Sequence, residues 1–152
     1  MNANSTDYRI RAFQAEDMEA VLSIWLSASV QSHDFIEPRF WESKQGAMRD
    51  VYLPASETYV AEALGQVVGF YSLYENTLAA IFVQPNQQGH GLGSALLEDA
   101  KRRREWLQLT VYAQNVSSVR FYEARGFVPM GEQLDEHTGE PELLMRFRRT
   151  SA

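Results

Sequence analysis

The sequence predicts a mixed α/β fold, in which a largely antiparallel central sheet of about seven strands is flanked by about four helices. Two observations lead to this prediction. Segments that alternate apolar and polar residues, as half-buried strands do, recur among segments with the 3.6-residue apolar period of helices. Their order is strand, two helices, three strands, helix, strand, helix and two strands. This mixture is typical of helices packed on both faces of one sheet.

Length and composition indicate one globular domain over residues 1–152. A domain of 152 residues buries about 70% of the surface that the unfolded chain exposes, which is enough for one core. The chain is 45% hydrophobic and 12% aromatic, so a disordered or collagen-like protein is excluded. It contains no cysteine, which excludes disulfides, thiolate metal ligands and a covalent acyl-cysteine intermediate.

The charge and the N-terminal segment narrow the range of partners. A net charge of −6 argues against general nucleic-acid binding, which needs a basic face. Met1–Asp7 lacks the basic stretch and the apolar run of a signal peptide. No apolar run reaches the roughly 20 residues of a membrane span. We therefore expect a cytoplasmic protein with neither a nucleic-acid nor a membrane partner.

The first half of the chain is predicted to contain one strand, two helices and three strands. Tyr8–Phe13 alternates as a strand, and a helical period follows at Met18, Val21, Leu22, Trp25 and Ser29. Pro38 is a favoured first-turn residue for a second helix, which Pro54 ends. The three strands are predicted at Thr58–Ala63, Gln66–Tyr74 and Leu78–Val83, with a hairpin turn at Leu64-Gly65 between the first two.

The second half of the chain is predicted to alternate helices and strands. The elements are a helix over Gly93–Arg104, a strand over Trp106–Val111, and a helix from the N-cap residue Asn115 to Arg125. Gly126 stands where a left-handed residue commonly ends a helix. The last two strands are expected at Phe127–Met130 and Leu143–Phe147, joined by a hairpin connection over Leu134–Glu140.

The glycine-rich segment Gln88–Ser94 leads from a strand into a helix. Backbone N–H groups at a helix start have no intrahelical partners and lie at the positive end of the helix dipole, so such a turn can bind phosphate. A P-loop is excluded because Gly93 is followed by Ser94 and no lysine. The segment also reads G-x-G-x-G, which differs from the dinucleotide-binding spacing. On spacing alone, a turn that only redirects the chain stays open as an alternative.

Two motifs resemble those of the GNAT superfamily of N-acetyltransferases, and the resemblance covers almost the whole chain. The signature Arg/Gln-x-x-Gly-x-Gly/Ala stands here as residues 88–93, QGHGLG, and the later signature as residues 115–127, NVSSVRFYEARGF. Gln88 is a departure, because arginine is more frequent there and a formal charge near the bound phosphates is lost. The resemblance implies the GNAT fold, with acetyl-CoA as co-substrate. It further implies direct acetyl transfer to a primary amine, of a protein or a small molecule, in a ternary complex. An acetyl-CoA-binding sensor with little turnover is the alternative.

The resemblance also assigns residues to the acetyl-CoA side of the site. The pyrophosphate would be bound by the turn's backbone amides, namely those of Gln88, Gly89, His90, Gly91, Leu92, Gly93 and Ser94. Phe82 and Val83 would pair through backbone atoms with the pantetheine arm, which Asn115 would hold from the other side. The Val83 amide is expected to donate to the thioester carbonyl, where charge develops. Tyr122 is the expected catalytic residue, because a phenol can protonate the leaving thiolate.

The acceptor side carries weaker signals. The amine has to lose a proton, so a base or a chain of waters is expected. The candidates for contact with the acceptor or for the base are His33, Asp34, Phe35, Tyr52 and Glu75. The first three lie in the loop between the first two helices, which this family often uses for its acceptor. A histidine that only packs within that loop stays an alternative for His33. Because no histidines or carboxylates stand at metal-ligand spacing, no metal is expected.

Overall fold

The computed structural model describes residues 8–89 and 91–149. Its centre is a seven-stranded sheet with the strand order β1-β2-β3-β4-β5-β7-β6. The strands are β1 Tyr8–Ala12, β2 Glu57–Ala63, β3 Gln66–Tyr74, β4 Thr77–Val83, β5 Trp106–Tyr112, β6 Val128–Leu134 and β7 Pro141–Arg148. Neighbouring strands are antiparallel except β4 and β5, which are parallel. The predicted mixed, largely antiparallel sheet is confirmed.

Four helical regions flank the sheet. They are α1 Met18–Ser32, preceded by a 3₁₀ helix at Ala15–Asp17; an irregular region made of α2 Pro38–Ser43, α3 Gln45–Ala47, a π-helical turn at Met48–Tyr52 and α4 Leu53–Ala55; α5 Leu92–Arg102; and α6 Val116–Ala124. The second helix was predicted as one continuous element, and this was wrong. Regular α-helical bonding is interrupted at Lys44 and at the π-helical turn Met48–Tyr52, and Pro54 has no N–H for the carbonyl four residues before it. Within the described ranges, no helix has both the length and the apolar character that a membrane crossing needs.

The core consists of one apolar cluster on each face of the sheet. Phe70 on β3 packs with residues of α1, whereas its neighbour Tyr71 packs with residues of α5. Both side chains are completely buried. Since successive residues of a strand point to opposite faces, β3 alone shows that helices cover the sheet on both sides.

Gly69 allows α5 to lie close to β3. A Cβ atom at this position would stand 3.1 Å from the carbonyl oxygen of Phe82 and 3.2 Å from Cδ1 of Leu96. Both distances are tighter than ordinary van der Waals contact. The bare backbone therefore lets the first turns of α5 lie directly on the sheet.

Both predicted ends of α6 are confirmed. The Asn115 side-chain oxygen accepts a hydrogen bond from the Ser118 N–H at 3.3 Å, as an N-cap residue does. Gly126 follows the helix with φ of +94°, in the left-handed region that glycine adopts readily.

Candidate functional site

A cleft opens between β4 and β5. Among the described residues, these two strands are paired at a single register position, Thr77 with Gln108. Asn76 closes this end, because its Nδ2 donates to the Trp106 carbonyl oxygen at 2.9 Å and its own carbonyl accepts from the Gln108 N–H at 2.9 Å. Beyond this point a cavity of about 740 Å³ separates the strands.

The walls of the cleft are strand edges with free backbone groups. Gln84 donates to the Val68 carbonyl at 2.9 Å, so the alternation of an antiparallel ladder turns the N–H and C=O of Ile81 and Val83 away from β3 and toward the cleft. On β5, the Ala113 N–H donates to the Pro141 carbonyl at 2.9 Å. The N–H and C=O groups of Thr110 and Tyr112 therefore point away from β7 and into the cleft, where they form its opposite wall. An extended ligand with amide groups would fit between these edges.

The predicted backbone contact of Phe82 needs correction. Phe82 stands opposite Phe70 in the register of β3 and β4, at a position where both N–H and C=O point toward β3. Phe82 still lines the cavity, but its backbone groups are turned away from it. The residue whose backbone faces the cleft beside Val83 is Ile81. A shift of one position along a strand reverses the direction in which the N–H and C=O groups point. The glycine-rich motif does not determine the register of β4 against β3, so the sequence could not distinguish Phe82 from Ile81.

The glycine-rich turn lies at the mouth of the cleft. Gly89 and Gly91 have φ of +85° and +83°, and Gly91 is the N-cap residue of α5. The first intrahelical bond joins the Ala95 N–H to the Gly91 carbonyl at 3.1 Å. The N–H groups of residues 92–94 are therefore the unsatisfied donors of a helix start, where an anion is favoured. His90 lies outside the described residues.

Gln88 faces the strand and not the open side of the turn. Its Nε2 donates to the carbonyl oxygen of Val83 at 3.2 Å. The side chain thus joins the turn to the end of β4. It takes up one of the two backbone groups by which Val83 faces the cleft, and the Val83 N–H remains as a donor toward the cavity.

Arg125 supplies positive charge at the start of α5. Its Nε and Nη2 donate to the Ser94 hydroxyl at 3.0 Å and 2.6 Å, and its Nη1 donates to the Phe121 carbonyl at 3.0 Å. The guanidinium also lies 3.9 Å from the centre of the Phe121 ring. The side chain lines the cavity. No local sequence signal points to this role of Arg125, because 31 residues separate it from Ser94 and only the fold brings them together.

Tyr122 and Asn115 line the cavity from α6 and its N-cap. The Tyr122 ring packs edge-on against Phe121 and Phe127, with ring centres 5.4 Å and 5.7 Å apart. Burial raises the pKa of the Tyr122 phenol. Burial is the only cause of this shift, and no hydrogen bond to the hydroxyl group contributes to it.

An aromatic group forms the other end of the cavity. His33 lies at the end of α1, with its ring centre 5.2 Å from that of Trp41 and 5.1 Å from that of Tyr112. Phe35 packs behind it, 5.8 Å from His33 and 5.5 Å from Tyr112. His33, Trp41 and Tyr112 line the cavity, together with Trp25. We call this the acceptor end, and the part around Gln88–Ser94 the donor end.

Two carboxylates accompany the aromatic rings at the acceptor end, those of Asp135 and Glu142. The Tyr112 hydroxyl donates to Asp135 at 2.7 Å, and the His137 N–H donates to the same side chain at 2.7 Å. Burial opposes ionisation of Asp135, but these hydrogen bonds outweigh it and lower the pKa of the carboxyl group. Asp135 is therefore an anion at neutral pH.

The structure does not bring the remaining acceptor candidates to the cavity. Tyr52 is 53% exposed at the end of the π-helical turn. Glu75 lies in the turn before β4, where its carbonyl accepts from Arg104 at 2.8 Å. Neither of them lines the cavity, and Asp34 does not line it either. Within residues 8–89 and 91–149, no group of three metal-binding side chains is placed to hold an ion.

The sequence is similar to a family of known proteins and to individual members of it. Residues 25–146 match the model of the acetyltransferase (GNAT) domain. The chain is 36% identical over 137 residues to the peptidyl-lysine N-acetyltransferase YiaC of Escherichia coli, covering 90% of this chain and 94% of the relative. It is 29% identical over 144 residues to the peptidyl-lysine N-acetyltransferase YjaB of the same species, covering 94% and 97%.

The fold is similar to solved structures of such proteins. The solution structure of apo YjaB from Escherichia coli superposes with a TM-score of 0.82 at 28% identity, covering 94% of this chain and 99% of that chain. The PaiA N-acetyltransferase of Thermoplasma acidophilum, solved in complex with coenzyme A, superposes with a TM-score of 0.74 at 18% identity, covering 93% and 99%.

Proposed function

We propose that this chain, which belongs to the acetyltransferase (GNAT) family and is an acetyl-CoA-dependent N-acetyltransferase, acetylates the side-chain amine of lysine in peptides or proteins. The family assignment rests on the match over residues 25–146. The printed names of YiaC and YjaB, which describe peptidyl-lysine acetylation, support the acceptor class. The cleft between β4 and β5 carries the proposal, because it joins a phosphate-binding turn to an aromatic and acidic pocket.

The donor end fits coenzyme A. The N–H groups of residues 92–94 would bind the pyrophosphate, with the left-handed backbone of Gly89 and Gly91 leaving room for it. Arg125 would add the formal charge that Gln88 lacks. The amides of the pantetheine arm would pair with the free edges at Ile81 and Thr110. Acetyl-CoA supplies an acetyl group bound to a good sulfur leaving group.

Two groups of this chain would act on the reacting atoms. The Val83 N–H, which faces the cleft, would donate to the carbonyl oxygen on which negative charge develops, and such fixed donors stabilise transition states strongly. Tyr122 would donate its phenolic proton to the departing sulfur. Because burial raises its pKa, Tyr122 keeps this proton until a negative charge forms beside it.

The acceptor end fits a cationic amine on an apolar stem. Trp41 and Tyr112 offer aromatic surface to a four-carbon chain and to its ammonium group, while Asp135 and Glu142 offer opposite charge. A lysine side chain has both properties. A neutral or acidic acceptor would bring no positive charge to these two carboxylates.

The proposal is tested by thiol release from acetyl-CoA with matched acceptors. We expect turnover with a short basic peptide whose N-terminus is blocked and which has one lysine. The same peptide with norleucine in place of lysine should give none. Exclusive activity on free N-terminal amines, or binding of acetyl-CoA with no turnover on any amine, would contradict the proposal; the second result would support the sensor alternative.

A further inference from the structure

Three buried polar atoms at the acceptor end have no hydrogen-bond partner among the described residues. They are Ser29 Oγ, His33 Nδ1 and Trp41 Nε1. Ser29 lies one helical turn before His33 on α1, and the ring of Trp41 lies against that of His33. Buried polar groups are normally hydrogen-bonded. The buried Nδ1 therefore faces the protein interior beside Ser29, whose carbonyl acts on the ring, and Nε2 is the ring nitrogen that is left for the cavity.

The His33 ring is enclosed and faces the cavity. It is only 9% exposed, and it lines the same cavity as Val83 and Tyr122. Burial lowers the pKa of His33, and the backbone carbonyl of Ser29 opposes this only in part. The imidazole is therefore neutral at pH 7, which leaves one ring nitrogen as an acceptor.

We propose that His33 is the catalytic base that removes the proton from the acceptor amine, with Nε2 contacting the amine directly or through one water. This inference rests on the proposed function. A bond forms between the amine nitrogen and the acetyl carbon, and the bond from that carbon to sulfur breaks. The amine proton goes to His33, and the sulfur takes the proton of Tyr122. Solvent afterwards takes the proton from His33 and restores that of Tyr122.

The other titratable groups near His33 have different tasks. Tyr112 on β5 donates its hydroxyl proton to Asp135, and burial together with this hydrogen bond raises its pKa, so it is no base at neutral pH. Asp135 and Glu142 line the cavity as carboxylates that attract a cation. From the irregular helical region, the residue that packs against His33 is Trp41, whose ring carries no charge.

The test is the pH dependence of acetyl transfer to the blocked lysine peptide. With His33 as base, log kcat/KM of the native protein should be flat between about pH 7 and 9, since a neutral base and an ammonium meet productively there. His33→Asn should lower kcat about 100-fold, and log kcat/KM should then rise by about one per pH unit, because only the rare neutral amine reacts. The dissociation constant of acetyl-CoA should stay the same, which also shows that the variant folds.

Matched variants separate this inference from a structural role. His33→Ala should be partly rescued by added imidazole, whereas His137→Asn, at an exposed ring in the β6–β7 connection, should behave as the native protein. A flat profile in His33→Asn, or a sloping profile in Asp135→Asn or Glu142→Gln instead, would overturn the role of His33. If the native protein acetylates no lysine peptide at all, the proposed function fails first, and the role of His33 with it.

Discussion

The donor end of the cleft is formed mainly by backbone groups, and the acceptor end by side chains. The donor end consists mainly of backbone groups: the N–H groups at the start of α5, two left-handed glycines and the free edge of β4. The acceptor end consists of side chains from α1, α2, β5, β7 and the connection after β6. Recognition of the cofactor therefore depends on chain conformation, whereas acceptor choice depends on residue identity. The two properties can change independently.

If the two ends are separable, each substitution should alter one property and leave the other. Gly91→Glu should have the largest effect, because it puts a negative charge and a side chain at the phosphate position and forces a residue with a Cβ into the left-handed region. We expect calorimetry to show a loss of coenzyme A affinity of at least about 100-fold.

Gly65→Glu is the matched control for this variant. Gly65 also has a positive φ, of +77°, and open space where its Cβ would lie, but it stands in the β2–β3 hairpin. It carries the same backbone strain and the same charge away from the cleft. Equal loss of affinity in both variants would mean that the strain, and not the phosphate site, is responsible.

Tyr122→Phe should slow acetyl transfer about 100-fold without changing the affinity for coenzyme A, because general acid catalysis contributes about this much. The substitution removes one hydroxyl and keeps the ring that packs against Phe127. Steady-state kinetics on the blocked lysine peptide measure it. Unchanged turnover would remove the proton-donor role from Tyr122.

Arg125→Gln should weaken coenzyme A binding about tenfold, since a charge-assisted hydrogen bond is worth about 1.5 kcal/mol or more. The KM of the peptide should not change. Arg120→Gln on the exposed side of α6 is the control. Because Arg125 also links α6 to Ser94, the melting temperature of each variant should be compared. An affinity equal to that of the control would show that Arg125 only fastens the helices.

Asp135→Asn should have the smallest effect, raising the KM of a basic peptide about threefold to fivefold through the loss of one partly screened charge. Coenzyme A affinity should be unaffected. The difference between the native protein and the variant should shrink at high salt, where charges are screened. A changed coenzyme A affinity would break the separation between the two ends.

Most of the sheet and both ends of α6 were predictable because periodicity, caps and turn glycines are local signals. The continuous second helix was the exception. Its apolar period is real, but a turn at Lys44 and a π-helical turn at Met48–Tyr52 divide it into short pieces. The apolar period indicates which face of the helical region is buried. It does not indicate whether the backbone hydrogen bonds follow the α or the π pattern.

The site was predictable where the backbone dominates. The glycines of Gln88–Ser94 were sufficient to predict the turn. The direction of the Phe82 backbone groups depends on the strand register, which no local sequence signal gives. Arg125 and Asp135 act through partners 31 and 23 residues away. Only the packed fold makes such pairs neighbours.

The single pairing between Thr77 and Gln108 also bears on how the molecule unfolds. Strands β1–β4 and β5–β7 form two ladders that are joined at one end by this pairing and the Asn76 hydrogen bonds beside it, and elsewhere by the helices packed across them. Along the cleft, neither ladder strongly protects the other from local opening. A cofactor bound along both edges would act as the missing strand. At one hundred times its dissociation constant it would add about 2.7 kcal/mol to the free energy of unfolding. Amide hydrogen exchange along β4 and β5 would then slow together. The two halves of the sheet would thus resist local opening as one unit only when the cofactor is bound.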